Sequence, residues 1–254
     1  MIDQFHSKHA LANTLNQLQP QKLSTNVWLG PLNSIAQNDF LSTNNIKYIF
    51  GIMPSQKCCY YLKNFTNDSS CCVSIDPNFN TQKLTEDEGE LIMNFNTKFS
   101  NSVSFVSDKR INNAIITNLD FQKMLEDFLY LIRSIQEKDS QCGILLFSLN
   151  GNDNLLSTFA MSYIMDSHNC DVTSGFSYLK SVRPSIIDFD EYGFYASELL
   201  KFQMNNRARK QFGGSNNAST PGSAEKAKRS VADALDDEDQ EYHDNSRSAK
   251  RIIT

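Results

Sequence analysis

The sequence lacks any run of about twenty consecutive apolar residues, the length that a helix needs to cross a bilayer. Its first residues also lack the charged start followed by a long apolar core that marks a secretory signal. We therefore expect a protein of the cytoplasm, the nucleus or both, with no membrane contact and with reduced thiols. Basic clusters at residues 207–210 and 226–229 resemble a loosely spaced nuclear-import signal.

Net positive charge is missing as well. Residues 204–254 carry nine basic and eight acidic side chains, and the rest of the chain carries fifteen basic and twenty-one acidic ones, a net charge of −6. A surface of this sign argues against binding to nucleic acid or to anionic membranes. We therefore expect no nucleic-acid partner.

Cysteine spacing typical of a zinc site is also absent. The six cysteines include two adjacent pairs, and no histidine lies near either pair in the sequence, whereas a zinc knuckle uses Cys-x-x-Cys. They are Cys58, Cys59, Cys71, Cys72, Cys142 and Cys170. We interpret them as small core residues, and we expect no metal and no cofactor.

Composition divides the chain into three parts. Residues 204–254 are rich in charged and small polar residues and contain few large apolar ones, so we expect a disordered tail. Residues 1–24 form an N-terminal extension, in which leucines at positions 11, 15 and 18 have helical spacing. Residues 25–203 are the expected folded domain.

The hydrophobic pattern of the folded domain predicts an α/β protein. Short apolar runs bounded by turn residues predict strands, and apolar residues at helical spacing predict helices. The predicted strands are 27–29, 47–52, 71–75 and 144–147, and the predicted helices are 33–42, 121–136, 155–166, 174–182 and 194–202. Residues 78–118 fit this pattern least, and we interpret them as an insertion: a short helix capped by Thr85, then a hairpin.

The segment 143–165 carries the most information about function. It predicts a buried strand, a polar turn containing Gly151, and a helix, an arrangement whose backbone amides and helix dipole can hold an anion. Its layout resembles the active-site region of dual-specificity protein phosphatases, which carry His-Cys-x-x-Gly-x-x-Arg-Ser at this junction. Residues 171–202, with Val182, Arg183 and Pro184, resemble the last helices of that family, and residues 27–52 resemble its first strands.

The resemblance implies a protein tyrosine phosphatase-like central mixed sheet flanked by helices across residues 25–203. The catalytic motif, however, is degenerate. Phe147 stands for the family's histidine, Ser148 for the nucleophilic cysteine, Asn154 for the phosphate-binding arginine and Leu155 for the final serine. Only the glycine, Gly151, is kept. A serine without a neighbouring base has almost no anionic form, and loss of arginine removes a bidentate, charge-assisted contact with phosphate.

The family's general acid has two candidate positions in this chain. Asp76 fits the family's strand-then-aspartate context, whereas Asp120 lies closer to the expected distance before the nucleophile position. The sequence does not choose between them. For Asp120 we favour a structural role, as the cap of the helix that follows it.

The resemblance and the missing chemistry together predict a pseudophosphatase that is not an enzyme and acts as a protein-binding scaffold, anchor or competitor in signalling. The expected partners are a phosphoprotein, a kinase or an active phosphatase, and the family resemblance makes assembly with related phosphatase-like chains plausible. Two alternatives stay open. The loop residues Ser148, Asn150, Gly151, Asn152 and Asn154 could read a phosphorylated ligand weakly, or Ser148 could serve as the nucleophile of an active hydrolase.

Overall fold

One mixed sheet flanked by helices organises the part of the chain that the computed structural model describes: residues 18–65, 70–186 and 195–213, with side chains to Arg207. Its strands are β1 (Gln21–Lys22), β2 (Val27–Pro31), β3 (Ile46–Ile52), β4 (Cys71–Ile75), β5 (Ile115–Ile116) and β6 (Gly143–Ser148). The helices are α1 (Asn38–Thr43), α2 (Ser55–Leu62), α3 (Glu86–Val106), α4 (Phe121–Lys138), α5 (Asn154–His168), α6 (Val172–Val182) and α7 (Ala196–Gly213), with 3-10 turns at Leu32–Ala36 and Thr81–Lys83.

The strand order is β1-β2-β6-β3-β4-β5, which places β6 in the interior of the sheet. The neighbours from β2 to β5 run parallel, and only the β1–β2 pair is antiparallel. Every residue of β4 and of β6 is buried. Because successive side chains of a strand point to opposite faces, helices must cover both faces of the sheet. The mixed α/β class predicted from the sequence is confirmed.

The strongest sequence patterns gave the most accurate elements. The prediction for β4 matches residue for residue, and those for β2, β3 and β6 differ by two residues or fewer. The predicted helix 33–42 is instead a 3-10 turn followed by α1, because the two are separated at Gln37, whose backbone is not helical. Helix α2 was not predicted, since Cys-Cys-Tyr-Tyr favours no helix by propensity.

The hairpin expected within residues 78–118 is wrong. The first expected strand of the hairpin, residues 102–108, is mostly helical, because α3 continues without interruption to Val106. The second expected strand, residues 113–118, supplies only the edge strand β5. Thr85 does cap α3, and its capping box with Glu88 gives the helix a firm start. Phe95, Phe99 and Val103 are spaced four residues apart and are buried. They form one continuous apolar helix face, which outweighs the strand-like alternation of apolar and polar residues near the end of α3.

Elements of the structure cross both expected domain boundaries. Strand β1 begins before residue 25 and pairs with β2, so part of the expected extension belongs to the sheet. Helix α7 continues through residues 204–213, which were expected to be disordered, and it ends where two consecutive glycines begin. Residues 1–17, with Leu11 and Leu15, and the rest of the tail, 214–254, lie outside the described residues, as does residue 194 at the predicted start of the last helix.

Candidate functional site

The candidate site is the loop of residues 149–153, which joins the end of β6 to the start of α5. Ser148 is the last residue of the strand and Asn154 is the first residue of the helix. Sheets of this kind bind ligands at the carboxyl ends of their inner strands, so the loop lies where a site is expected. The structure therefore brings Ser148, Asn150, Gly151, Asn152 and Asn154 together in one strand–loop–helix unit.

Two positions of the degenerate motif are buried in the core. Phe147 is fully buried, and a Cβ atom placed on Gly51 of β3 would lie 3.2 Å from its ring. Ser148 is also fully buried, and its Oγ accepts a hydrogen bond of 3.1 Å from the Gly151 backbone N–H. Among the described residues this is the one hydrogen bond of the Ser148 side chain. The serine therefore closes the loop on itself.

Gly151 is kept because no other residue fits. Its φ is +73°, a left-handed conformation that costs a side-chain-bearing residue free energy. A Cβ atom at this position would lie 2.6 Å from Nη2 of Arg183 and 2.8 Å from the backbone nitrogen of Pro31. The glycine thus lets the loop pack against the end of β2 and against a guanidinium group.

The side chain of Arg183 is fully buried and packs against the loop from the α6 C-cap position. Its Nε donates to Oδ1 of Asn152 at 2.7 Å, and Nη2 donates to the carbonyl of Asn150 at 3.2 Å. Its Nη1 donates to the Gln19 carbonyl at 3.2 Å and to Oε1 of Gln21. Burial lowers the pKa of Arg183 to about 10. The guanidinium therefore joins the loop to the first strand of the sheet.

Two further hydrogen bonds involve the polar groups of Asn150 and Asn152. The Asn152 N–H donates to Oδ1 of Asn150 at 2.7 Å, and the Ser185 hydroxyl donates to Oδ1 of Asn152 at 3.0 Å. With the Gly151 N–H on Ser148, two loop amides are directed at oxygens of the loop itself. Asp153, the N-cap residue of α5, holds Oδ2 buried with no hydrogen-bond partner among the described residues. A carboxylate there disfavours a second anion.

Both candidates for the former general acid have structural roles. Asp120 caps α4, because its Oδ1 accepts from the N–H groups of Gln122 and Lys123 at 3.0 and 3.4 Å. The buried Asp76 accepts from the Ser55 N–H at 2.7 Å with one oxygen and from the Asn78 N–H at 2.9 Å with the other. It thereby caps α2 from the end of β4. The capping role predicted for Asp120 is confirmed.

The six cysteines are free thiols, and five of them are buried. Burial raises the pKa of Cys59 and Cys71 to about 12 and that of Cys142 to about 11. It raises the pKa of Cys58, Cys72 and Cys170 as well. A nucleophilic cysteine needs the opposite shift. Within residues 18–65, 70–186 and 195–213 no three metal-ligating side chains cluster together.

Sequence reasoning missed the central residue of the site. Arg183 served only as a landmark of the Val-Arg-Pro turn, since arginine is ordinarily exposed and nothing local marks this one as buried.

No helix among the described residues has the length and apolar character to cross a membrane.

Solved structures similar to this chain include phosphatase-domain and phosphatase-like proteins. Human DUSP28 shares 13% identity over 74% of this chain and 95% of its own, with a TM-score of 0.47. The human tyrosine phosphatase-like serine/threonine/tyrosine-interacting protein shares 15% identity over 75% of this chain and 99% of its own, with a TM-score of 0.46. The leucine rich repeat and phosphatase domain containing protein from Entamoeba histolytica shares 15% identity over 76% of this chain and 95% of its own, with a TM-score of 0.43.

No curated protein matches the sequence significantly. A protein-family model, that of the YAL037W N-terminal domain, matches residues 18–145. The match spans just over half of the chain, from the residues before β1 to the middle of β6, and it ends before the loop at 149–153. The chain belongs to the YAL037W N-terminal domain family.

Proposed function

We propose that this chain is a phosphatase-like protein without phosphatase activity that acts by binding other proteins. One observation carries the proposal: the Gly151 and Asn152 amides of the β6–α5 loop are directed at side-chain oxygens of Ser148 and Asn150 instead of facing a ligand. Ser148 Oγ receives the Gly151 N–H, and Arg183 holds Asn150 and Asn152 from within the protein. Ser148 and Asn154, at the positions that the resemblance assigns to the catalytic cysteine and arginine, lie on either side of this loop.

The chemistry of the loop supports the same proposal. Phosphoester hydrolysis by this family's mechanism needs a thiolate, a cation for the phosphate and an acid for the leaving oxygen. Ser148 and Asn154 supply neither of the first two, and both candidate acids, Asp76 and Asp120, accept hydrogen bonds from backbone amides. The buried carboxylate oxygen of Asp153 adds negative charge beside the place where a phosphate would sit.

As partners we propose a phosphoprotein, a kinase or an active phosphatase, with assembly into hetero-oligomers of related phosphatase-like chains as one form of this role. In each case the chain would act as a scaffold, an anchor or a competitor. Its net negative folded part favours protein partners over nucleic acid.

Turnover of p-nitrophenyl phosphate and of a phosphotyrosine peptide by the full chain tests the proposal. We expect no turnover above buffer, and the same result for Ser148→Ala. The control is Thr158→Ala, one turn into α5. It shows whether the removal of a hydroxyl group from this helix by itself changes the turnover. Turnover by the wild type that Ser148→Ala abolishes and Thr158→Ala retains would establish an active hydrolase and reject the proposal.

A further inference from the structure

A groove far from the loop in sequence lies between the first turns of α3 and the open edge of the sheet. Its volume is about 530 Å³, and its lining is mainly apolar. Phe79, Leu84, Ile92 and Ile115 contribute apolar surface, and Met93, on the rim, is 63% exposed. Concave, largely apolar sites with a few polar groups are those that bind ligands and peptides. The groove therefore has the shape and lining of a binding site.

The edge of the sheet at this groove carries backbone groups that pair with nothing in the described part of the chain. Strand β5 pairs with β4 through the carbonyls of Ala114 and Ile116, which accept from Ser74 and Asp76 at 2.8 and 3.1 Å. Because backbone groups of a strand alternate between its two sides, those of Ile115 and Thr117 point away from β4. Both residues line the groove, and in the described part of the chain β5 is the last strand of the sheet. An extended peptide can add to such an edge.

Gly89 keeps this groove open. It lies inside α3, where glycine lowers helix stability relative to alanine. Its φ is not positive, and a Cβ atom placed on it would meet nothing within 4 Å. Gly51 and Gly143 differ from it, because a Cβ atom there would lie 2.3 and 2.4 Å from its neighbours. The fold gives no reason for a glycine at position 89, whereas a segment bound in the groove would.

The charge of the rim indicates what kind of segment fits. Among the described residues that line the groove, Glu86 is the one with a charged side chain, and it lies in the first turn of α3. At the other end the groove is lined by the uncharged Asn96 and Asn113, and Asn96 accepts from the Ala114 N–H at 2.8 Å. A segment with lysine or arginine beside its apolar residues complements this rim.

We propose that the groove binds an extended segment of a partner protein, in which β-branched residues are flanked by lysine or arginine. The segment adds to β5 through the backbone groups of Ile115 and Thr117. Alternate side chains enter the apolar groove beside Gly89, and the basic residues lie near Glu86. This inference rests on the proposed protein-binding role and names the surface that performs it.

The test uses the full chain and a fluorescein-labelled peptide, Lys-Lys-Val-Ile-Val-Lys-Lys, with fluorescence polarisation as the readout. Gly89→Leu fills the groove and removes the burial of an apolar side chain, so we expect binding to weaken about tenfold to a hundredfold. Asn101→Leu, on the exposed second half of α3, is the matched control and leaves the affinity unchanged. Glu86→Gln weakens binding about twofold to fivefold, as for an exposed ion pair.

A second readout locates the bound peptide. In amide NMR spectra of the full chain, the peptide is expected to shift the Ile115 and Thr117 signals, with Glu-Glu-Val-Ile-Val-Glu-Glu giving no shift. Thermal unfolding of Gly89→Leu at or above the wild-type midpoint shows that the variant is folded. Equal affinity for wild type and Gly89→Leu, or no saturable binding at millimolar peptide, overturns the proposal. Neither outcome bears on turnover at Ser148, so failure here and failure of the proposed function are distinguishable.

Discussion

The β6–α5 loop and the groove between α3 and β5 differ in the space around their glycines. At Gly151 the space for a side chain is already occupied by Arg183 and by the backbone of β2, whereas at Gly89 the same space is empty. The loop also directs the Gly151 and Asn152 amides at its own oxygens, while the groove leaves the outer edge of β5 open. The sequence singles out the loop, whereas the groove is the surface that we propose binds a partner.

A position that a sequence motif marks need not be the surface that binds a partner. The hydrogen bonds of the loop stabilise the fold, because each contributes about 0.5–1.5 kcal/mol net of the bond to water that it replaces. A groove lined with apolar residues and open backbone has the reverse balance: it costs stability unless a ligand covers it.

Removal of the guanidinium should have the largest effect. Arg183→Ala removes a fully buried side chain and the donor to acceptors of Asn150, Asn152 and Gln19, so we expect the free energy of unfolding to fall by about 3–5 kcal/mol. Urea unfolding measures the loss. Arg133→Ala is the matched control, since Arg133 is 53% exposed in its ion pair with Asp166, and its loss should cost about 1 kcal/mol or less. Equal losses in both variants would mean that Arg183 does not hold the loop.

A methyl group added at position 151 should cause the second-largest loss of stability. Gly151→Ala places a β-carbon in left-handed backbone and against Arg183 and Pro31, so we expect a loss of about 2–4 kcal/mol in the free energy of unfolding. Urea unfolding is again the measurement. A variant as stable as the wild type would show that the loop has room to move, which would contradict its packing as described here.

The buried thiols predict how stability changes with pH. In the folded protein the pKa values of these thiols lie above their ordinary value of 9, so the unfolded chain loses these protons at a lower pH than the folded one. The free energy of unfolding therefore keeps its full value below about pH 9 and falls as the pH rises above it. Each buried thiol contributes a slope of about 1.4 kcal/mol per pH unit in that range. Urea unfolding at pH values from 8 to about 10.5 should show the decline. Cys72→Val, which removes one thiol from the sheet, should reduce the slope by about that amount, and an unchanged slope would contradict the assignment.

The smallest effect is a gain in stability. Gly89→Ala should raise the free energy of unfolding by about 0.5–1 kcal/mol, because alanine favours the helix and meets nothing in the groove. The contrast with Gly151→Ala is the direct expression of the comparison, since the same substitution gives opposite signs in the two regions. A loss of stability in Gly89→Ala would mean that the space beside α3 is not open.

The fold was predictable from the sequence where local pattern and tertiary environment agree. The continuous apolar runs of β4 and β6 are typical of strands buried on both faces, and the apolar face of α4 repeats at helical spacing. The C-terminal part of α3 was misread because Ser-Val-Ser-Phe-Val alternates like a strand, and only contacts with the core make it helical. Strand β5 retains only two residues of the second strand that was expected in the hairpin.

The site was predictable only in outline. The strand–loop–helix order and the need for Gly151 follow from the sequence, and so does the absence of a nucleophilic cysteine at position 148. The role of Arg183 does not follow, because its partners at Gln19 and Asn152 are 164 and 31 residues away in the chain. The groove does not follow either, since it exists only where α3 passes the end of the sheet.

The most direct test of the account is the response of the loop to an oxyanion. Phosphate and tungstate should be titrated into the full chain while amide NMR signals of residues 148–155 are followed, with Asn154→Arg measured in parallel. The account predicts that the wild-type signals stay in place, because the Gly151 and Asn152 amides are directed at oxygens within the loop. Saturable shifts confined to these residues in the wild type, strengthened by Asn154→Arg, would show that the loop still binds phosphate and would contradict the account.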